Sequence, residues 1–306
     1  MKNNSIKGTV TQQQNSKNQA SQTDVAACSG ATAHFLKRFK IIALLGECGA
    51  YKAKGVPISV IMLYIFNLMF SPMSMYYQIK LDAFHEDFSK NTVYRFLENI
   101  HMNWHCFLLR LSTKIIRYIV GLTTDTNKRY ALIVDDTPLQ KRGKEMELVS
   151  KYFNHVTMGY EFGYRILTLA WTDGVTTIPV RYSLLASSYD EKVRGKIRTD
   201  LDGRSLGARI RRMARTSMND LTVKFACDAV KAGIPASIIC FDSWFAVPRT
   251  ISRLMKEANL TVIARLKTNS KQYYEYEGKM MGCTTVFPTN FGLFRSFCCA
   301  PSVASV

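Results

Sequence analysis

Tyr130–Ala131–Leu132–Ile133–Val134–Asp135–Asp136–Thr137 is the stretch that decides the fold class, an apolar run that hands over to two carboxylates and a hydroxyl. Such a run reads as a buried strand that delivers acids to the edge of a sheet. The design recurs in Ser237–Ile238–Ile239–Cys240–Phe241, followed by Asp242–Ser243–Trp244–Phe245. Two strands that each end in Asp can set carboxylates side by side. Like charges there repel unless a divalent cation such as Mg2+ neutralises them.

Between these two runs, residues 164–171 and 175–184 are β-rich and flank Asp173–Gly174, a dipeptide that predicts a tight hairpin of antiparallel strands. Pro179 places the second of those strands at a sheet edge or next to a bulge. From Ser217 onward the pattern is helix (217–232), turn, strand (236–241), helix (247–258) and strand (261–266). Alternating helices and strands imply crossover connections and a parallel portion of the sheet. The expectation is a mixed α/β domain over 128–280, with Asp136 and Asp242 both at the C-terminal ends of strands.

The N-terminal part is different. Residues 1–30 are mostly Asn, Gln, Ser, Thr, Lys and small residues, which predicts a disordered leader and not a signal peptide. Residues 31–122 carry helical spacing and predict an all-α domain, with a break at Ser71–Pro72 and a turn-rich linker at 121–128. The most hydrophobic stretch, Val56 to Phe70, contains Pro57 and Asn67 and is shorter than a membrane span, so it reads as a core helix. Within this domain Phe88–Ser89–Lys90–Asn91–Thr92–Val93–Tyr94–Arg95 fits the second helix of a helix-turn-helix with its capped end toward DNA, or a capped bundle helix that touches nothing. His101 and His105, four apart and next to Cys106, lack the further ligands that zinc needs and read as packing residues.

The charge balance points to a polyanionic partner. Lys and Arg total 41 against 23 Asp and Glu, a formal net charge of +18, and nucleic acid fits that excess best. Two clusters stand out: Lys141, Arg142 and Lys144 after the first acid-ended strand, and Arg204, Arg209, Arg211, Arg212 and Arg215 within the basic segment 192–215. Each charge brought to a phosphate releases counterions. Between the clusters an aromatic-studded passage with Tyr152, Phe153, Tyr160 and Phe162 reads as a loop that either stacks on bases or covers a satellite core. The eight cysteines show no CxxC pair or regular framework, which points to a reducing, cytoplasmic compartment.

Taken in order, Val134–Asp135–Asp136–Thr137–Pro138–Leu139–Gln140–Lys141–Arg142–Gly143, then Phe153–Asn154–His155–Val156, Leu167 to Gly174, and Phe241–Asp242–Ser243–Trp244–Phe245 resemble bacterial insertion-sequence transposases of the cut-and-paste DDE type. The resemblance covers roughly residues 35–275, and it implies an RNase H-like mixed sheet of antiparallel hairpin strands plus parallel strands. It also implies that Asp136, with Asp135 as the alternative, and Asp242 hold Mg2+ or Mn2+. Those ions activate water and then a 3′-hydroxyl against a DNA phosphodiester. The implied partners are the terminal inverted repeats of the element and target DNA, both double-stranded, bound by a homodimer in a bacterial cytoplasm at the nucleoid, with no membrane role.

The third acid of such a triad, a Glu on a late helix within a Tyr-Arg-Glu-Lys-type motif, has no match. Glu257 follows Asp242 too closely, and Glu275 and Glu277 lack a helix around them. From about Met281 the composition changes, and residues 281–306 form no periodic pattern, which reads as a foreign, frameshifted tail on a truncated copy with impaired catalysis. Two competing readings remain. One is a non-catalytic DNA-binding protein or inhibitor derived from a transposase. The other is a phosphotransfer domain, which Asp135–Asp136–Thr137 and the long hairpin disfavour.

Overall fold

The computed structural model describes residues 30–52, 54–125, 127–143, 145–200, 202–265, 273–276, 279–282 and 296–299. The expected leader up to residue 29, Lys144, Glu277 and most of the expected tail lie outside the described residues. The chain forms two compact units that divide between Phe107 and Leu108, inside a long helix.

The first unit is helical. After a helix over residues 30–38 come α1 (Ile41–Glu47), α2 (Ile58–Leu68), α3 (Met75–Lys80), α4 (Lys90–Leu97) and the start of α5 (Trp104–Gly121). Part of its core is aromatic: Tyr64, Phe84 and Phe88 meet edge to face with centroids 5.5–6.0 Å apart. That geometry suits rings whose edges are positive and faces negative. The Tyr64 hydroxyl is satisfied by donating to Gln78 Oε1 at 2.9 Å. Ser89 occupies the cap position of α4 with extended backbone, and Val93 and Phe96 are that helix's buried residues. His101 precedes α5 in a turn, so it and His105 are not on one helical face.

The second unit is built on a sheet. Its strands are β1 (Ala131–Gln140), β2 (Ser150–Asn154), β3 (Gly159–Thr172), β4 (Thr177–Leu185), β5 (Ile238–Phe241) and β6 (Thr261–Arg265), with β7 (Tyr273–Tyr276) and β8 (Lys279–Gly282) paired as a separate ribbon. β9 (Ser296–Cys299) runs antiparallel to β6, so four residues of the segment read as unpatterned extend the sheet. The order is β2–β3–β1–β5–β6–β9, and β4 also pairs with β3. β3 is antiparallel to β1 and β4, whereas β1, β5 and β6 are parallel. This mixed α/β sheet is RNase H-like, as the sequence reading expected.

Local chemistry explains the elements. In the β3–β4 turn the Asp173 carboxylate accepts from the Val175 and Thr176 N–H groups at 3.1 and 2.7 Å, and Gly174 takes a φ of 91° that other residues resist. β4 pairs with no strand but β3 among the described residues, and the register slips at Leu169/Ala170 opposite Pro179 and Arg181. Pro179 thus marks both an edge and a bulge. The helices are α6 (Leu206–Ala214), α7 (Met218–Lys231) and α8 (Pro248–Ala258). Ser217 and Asp220 cap α7 reciprocally, the Asp220 N–H donating to Ser217 Oγ and the Ser217 hydroxyl to the Asp220 carboxylate. α8 opens on Pro248 and closes on Asn259 in the left-handed region.

Alternation sends Leu132 and Val134 of β1, Leu167, Leu169 and Trp171 of β3, and Ile239 and Phe241 of β5 into one core with Leu221 and Phe225 of α7 and Leu254 of α8. Each fully buried large apolar side chain contributes roughly 1.5–3 kcal/mol of transfer free energy. Trp171 is fully buried, and its indole N–H finds the Pro235 carbonyl at 2.8 Å. This rigid layer carries the two acid-ended strands side by side.

Candidate active site

Asp136 continues the row of Leu132 and Val134, at the point where the apolar core face of β1 gives way to polar residues. The register pairs Asp136 with Leu167 and Pro138 with Arg165, so Arg165 stands on the same face, one pair along. Its Nε donates to Asp136 Oδ2 at 2.5 Å, and the Asp136 side chain is only 6% exposed. Burial pushes the Asp136 carboxyl above the usual range, and the Arg165 charge and hydrogen bond only partly offset that. Arg165 was not singled out from sequence, because its role depends on a strand register.

Asp135 points to the opposite face and is exposed; its Oδ1 accepts the Asp136 N–H at 2.8 Å. β5 lies parallel to β1 with Val134 opposite Phe241. Extending that register by one residue sets Asp135 opposite Asp242 and leaves Asp136 one residue beyond. Asp242 itself is exposed at the start of a turn in which its carboxylate accepts the Ser243 N–H and its carbonyl accepts the Phe245 N–H. Trp244, carried by the same turn, lies 5.7 Å from the Arg165 guanidinium and 5.9 Å from the His155 ring. The turn after β5 and the end of β1 therefore meet through Arg165 and Trp244. Neither Trp244 nor His155 was legible as a site residue from sequence.

Carboxylate oxygens at neighbouring strand ends are hard donors of the kind Mg2+ takes. In kind, Asp136, Asp242 and Asp135 fit a divalent ion. Among the described residues, however, no group of three His, Cys, Asp or Glu side chains is placed to hold one. Glu257 is not a third member: it accepts from Arg253 at 2.7 Å near the far end of α8. That end is roughly 14 Å along the axis from the end nearest Asp242, at 1.5 Å per residue.

Within the basic cluster, Arg211 forks onto Glu147 with bonds of 2.7 and 2.8 Å, and Arg212 Nη1 donates to the Gly203 carbonyl at 2.9 Å. Arg215 binds the Ser187 and Ser188 carbonyls and Asp190. Arg204, Arg209 and Arg142 are exposed, and Lys141 is half-buried. Part of the positive run thus holds the fold together as well as facing solvent. The passage read as an aromatic loop is instead β2 and the first part of β3, a hairpin in which Lys151 pairs with Phe162 and Phe153 with Tyr160.

Residues 68–281 match the family model of the DDE superfamily endonucleases. The chain belongs to that family. No curated protein sequence matches it. Membership makes this a nuclease-type chain whose substrate is DNA, and DDE nucleases generally use divalent metal ions. No helix among the described residues is long and apolar enough to cross a membrane.

Proposed function

We propose that this DDE endonuclease is the transposase of a bacterial insertion sequence. It binds the terminal inverted repeats of the element and the target DNA as duplexes, works as a dimer at the nucleoid, and cuts and joins strands with Mg2+ or Mn2+. The observation that carries the reading is the pair of acid-bearing ends on neighbouring parallel strands β1 and β5 within the family-matched sheet. Asp136 and Asp242, with Asp135 beside them, would hold the ions, which supply an activated oxygen nucleophile and neutralise charge on the phosphate. Arg165 orients the Asp136 carboxylate and partly offsets the cost of burying its charge, and the exposed Arg142, Arg204 and Arg209 supply salt-dependent attraction for the DNA backbone.

A second reading is favoured because no third acid is placed with Asp136 and Asp242 among the described residues: a DNA-binding derivative that does not cut. The purified chain, incubated with supercoiled plasmid and Mg2+ or Mn2+, separates the two. Metal-dependent nicking that disappears in Asp242→Asn supports the transposase. Salt-sensitive binding with no nicking in either metal establishes the derivative instead.

A further inference from the structure

The β2–β3 hairpin presents one unusual face. Its register puts Lys151, Phe153, Tyr160 and Phe162 on the same side, while Tyr152 and Glu161 pair on the other through a 2.9 Å hydrogen bond. Rings on and beside this face form a continuous series: Tyr160 to Phe153 at 5.3 Å, Phe153 to His155 at 5.0 Å, and His155 to Trp244 at 5.9 Å. Beyond Trp244 comes Arg165, bonded to Asp136. The series therefore ends at the acid site.

Cations accompany the rings. Lys151 Nζ lies 4.7 Å over Tyr160, the Arg194 guanidinium 5.1 Å over Phe162, and Lys192 Nζ 4.7 Å over Tyr189. Two adjoining clefts of about 530 and 670 Å³ both use Lys151, Tyr152 and Lys192 as walls, and the first also takes in Arg165 and Arg215. Tyr160 is 69% exposed, so its ring face is not spent in a core.

A duplex keeps its base faces stacked on one another and shows a protein only phosphates and base edges. An unpaired strand shows ring faces, and aromatic platforms rimmed by cations suit it without regard to sequence. We propose that this face binds an unpaired DNA strand: bases stack along Tyr160, Phe153 and Trp244, Lys151, Lys192 and Arg194 hold its phosphates, and the strand is led toward Asp136. The inference rests on the DNA-cutting reading above and specifies the form of DNA that reaches the site.

The test uses the full chain in EDTA, so that binding is read apart from cutting. A fluorescein-labelled oligodeoxythymidylate of about 12 nucleotides, within the usual span of such sites, is compared with a blunt duplex by fluorescence anisotropy. Tyr160→Ala should weaken single-strand binding about tenfold and leave the duplex Kd within about twofold, while Tyr160→Phe keeps the wild-type values. Equal losses on both DNAs, or an unchanged single-strand Kd in Tyr160→Ala, would overturn the proposal. The tyrosine is exposed, and matching thermal melts of the two variants exclude unfolding as the cause. If Tyr160→Ala shows the selective single-strand loss yet the wild type nicks no plasmid, the transposase reading fails and this one stands. Nicking together with an indifferent Tyr160→Ala sinks this one alone.

Discussion

Arg165 Nε donates to Asp136 Oδ2 at 2.5 Å across the β1–β3 pair, and the carboxylate it holds is almost wholly out of water. A buried carboxylate tolerates ionisation only with such a partner, and removing one member of a buried pair leaves an uncompensated charge. Arg165→Ala should therefore destabilise the protein by about 3 kcal/mol. Adding Asp136→Asn should recover much of the loss, because the charge that needed a partner is gone. Urea denaturation of the two single variants and the double variant measures the coupling; additive losses would show that Asp136 does not depend on Arg165.

Which acid of the Asp135–Asp136 pair serves the chemistry is decided by comparing their Asn variants. The resemblance selects Asp136, whereas the strand register, extended one residue past the Val134–Phe241 pair, sets Asp135 opposite Asp242. With Asp136 as the ligand, Asp136→Asn and Asp242→Asn each abolish metal-dependent nicking and leave duplex affinity unchanged within about twofold, since neither contributes to counterion release. Asp135→Asn then retains nicking. The reverse outcome for the neighbouring pair would hand the role to Asp135.

The parts of this structure that were legible in the sequence are those fixed by short-range chemistry. The apolar run before Asp135 and the Asp173–Gly174 turn each specify a local conformation, and the helices and strands between 217 and 266 fall within a few residues of their expected bounds. β2 was read as loop because Asn154 to Gly159 looks like turn chemistry and the strand before it is only five residues long. Its partner segment at the start of β3 then had no visible mate. Gly163 is the clue that could have been used: an added Cβ would meet the Leu139 carbonyl oxygen at 2.1 Å, so the glycine marks close backbone approach within a sheet and not a loop. The Arg165–Asp136 bond could not be read at all, since it joins residues 29 apart through a register that exists only once the hairpin forms. The same limit applies to the basic segment. Counting charges cannot tell that Arg211 is held by Glu147, 64 residues away.

That Glu147–Arg211 pair yields a test of how the basic surface works. Both side chains are about 30% exposed (31% and 28%), so the pair contributes on the order of 1 kcal/mol. Glu147→Ala should lower stability by roughly that amount and release Arg211 toward phosphate. Duplex affinity should rise at low salt, and the slope of log K against log salt should steepen by about 0.9 for one additional phosphate contact. Anisotropy titrations at four salt concentrations check the slope. An unaltered slope would mean that Arg211 faces the fold and not the DNA.

The hairpin turn supplies a pH prediction. Lys128 Nζ lies 2.7 Å from Asp173 Oδ2, and this bond, with the N–H groups of Thr176 and Val175, holds the Asp173 carboxyl down at about 2. In the unfolded chain the same carboxyl titrates near its ordinary value of 3.8. Between those two values the unfolded state binds more protons than the native state, so stability falls as pH drops through the window, and the contribution is fully present above it. Asp173→Asn removes the titrating group and can keep an acceptor for the turn. Thermal melts from pH 5 to about 2 should show a shallower acid decline for the variant than for wild type. Parallel curves would place the acid sensitivity in other carboxylates, and the Lys128 bond would then add nothing to the stability of the β3–β4 hairpin.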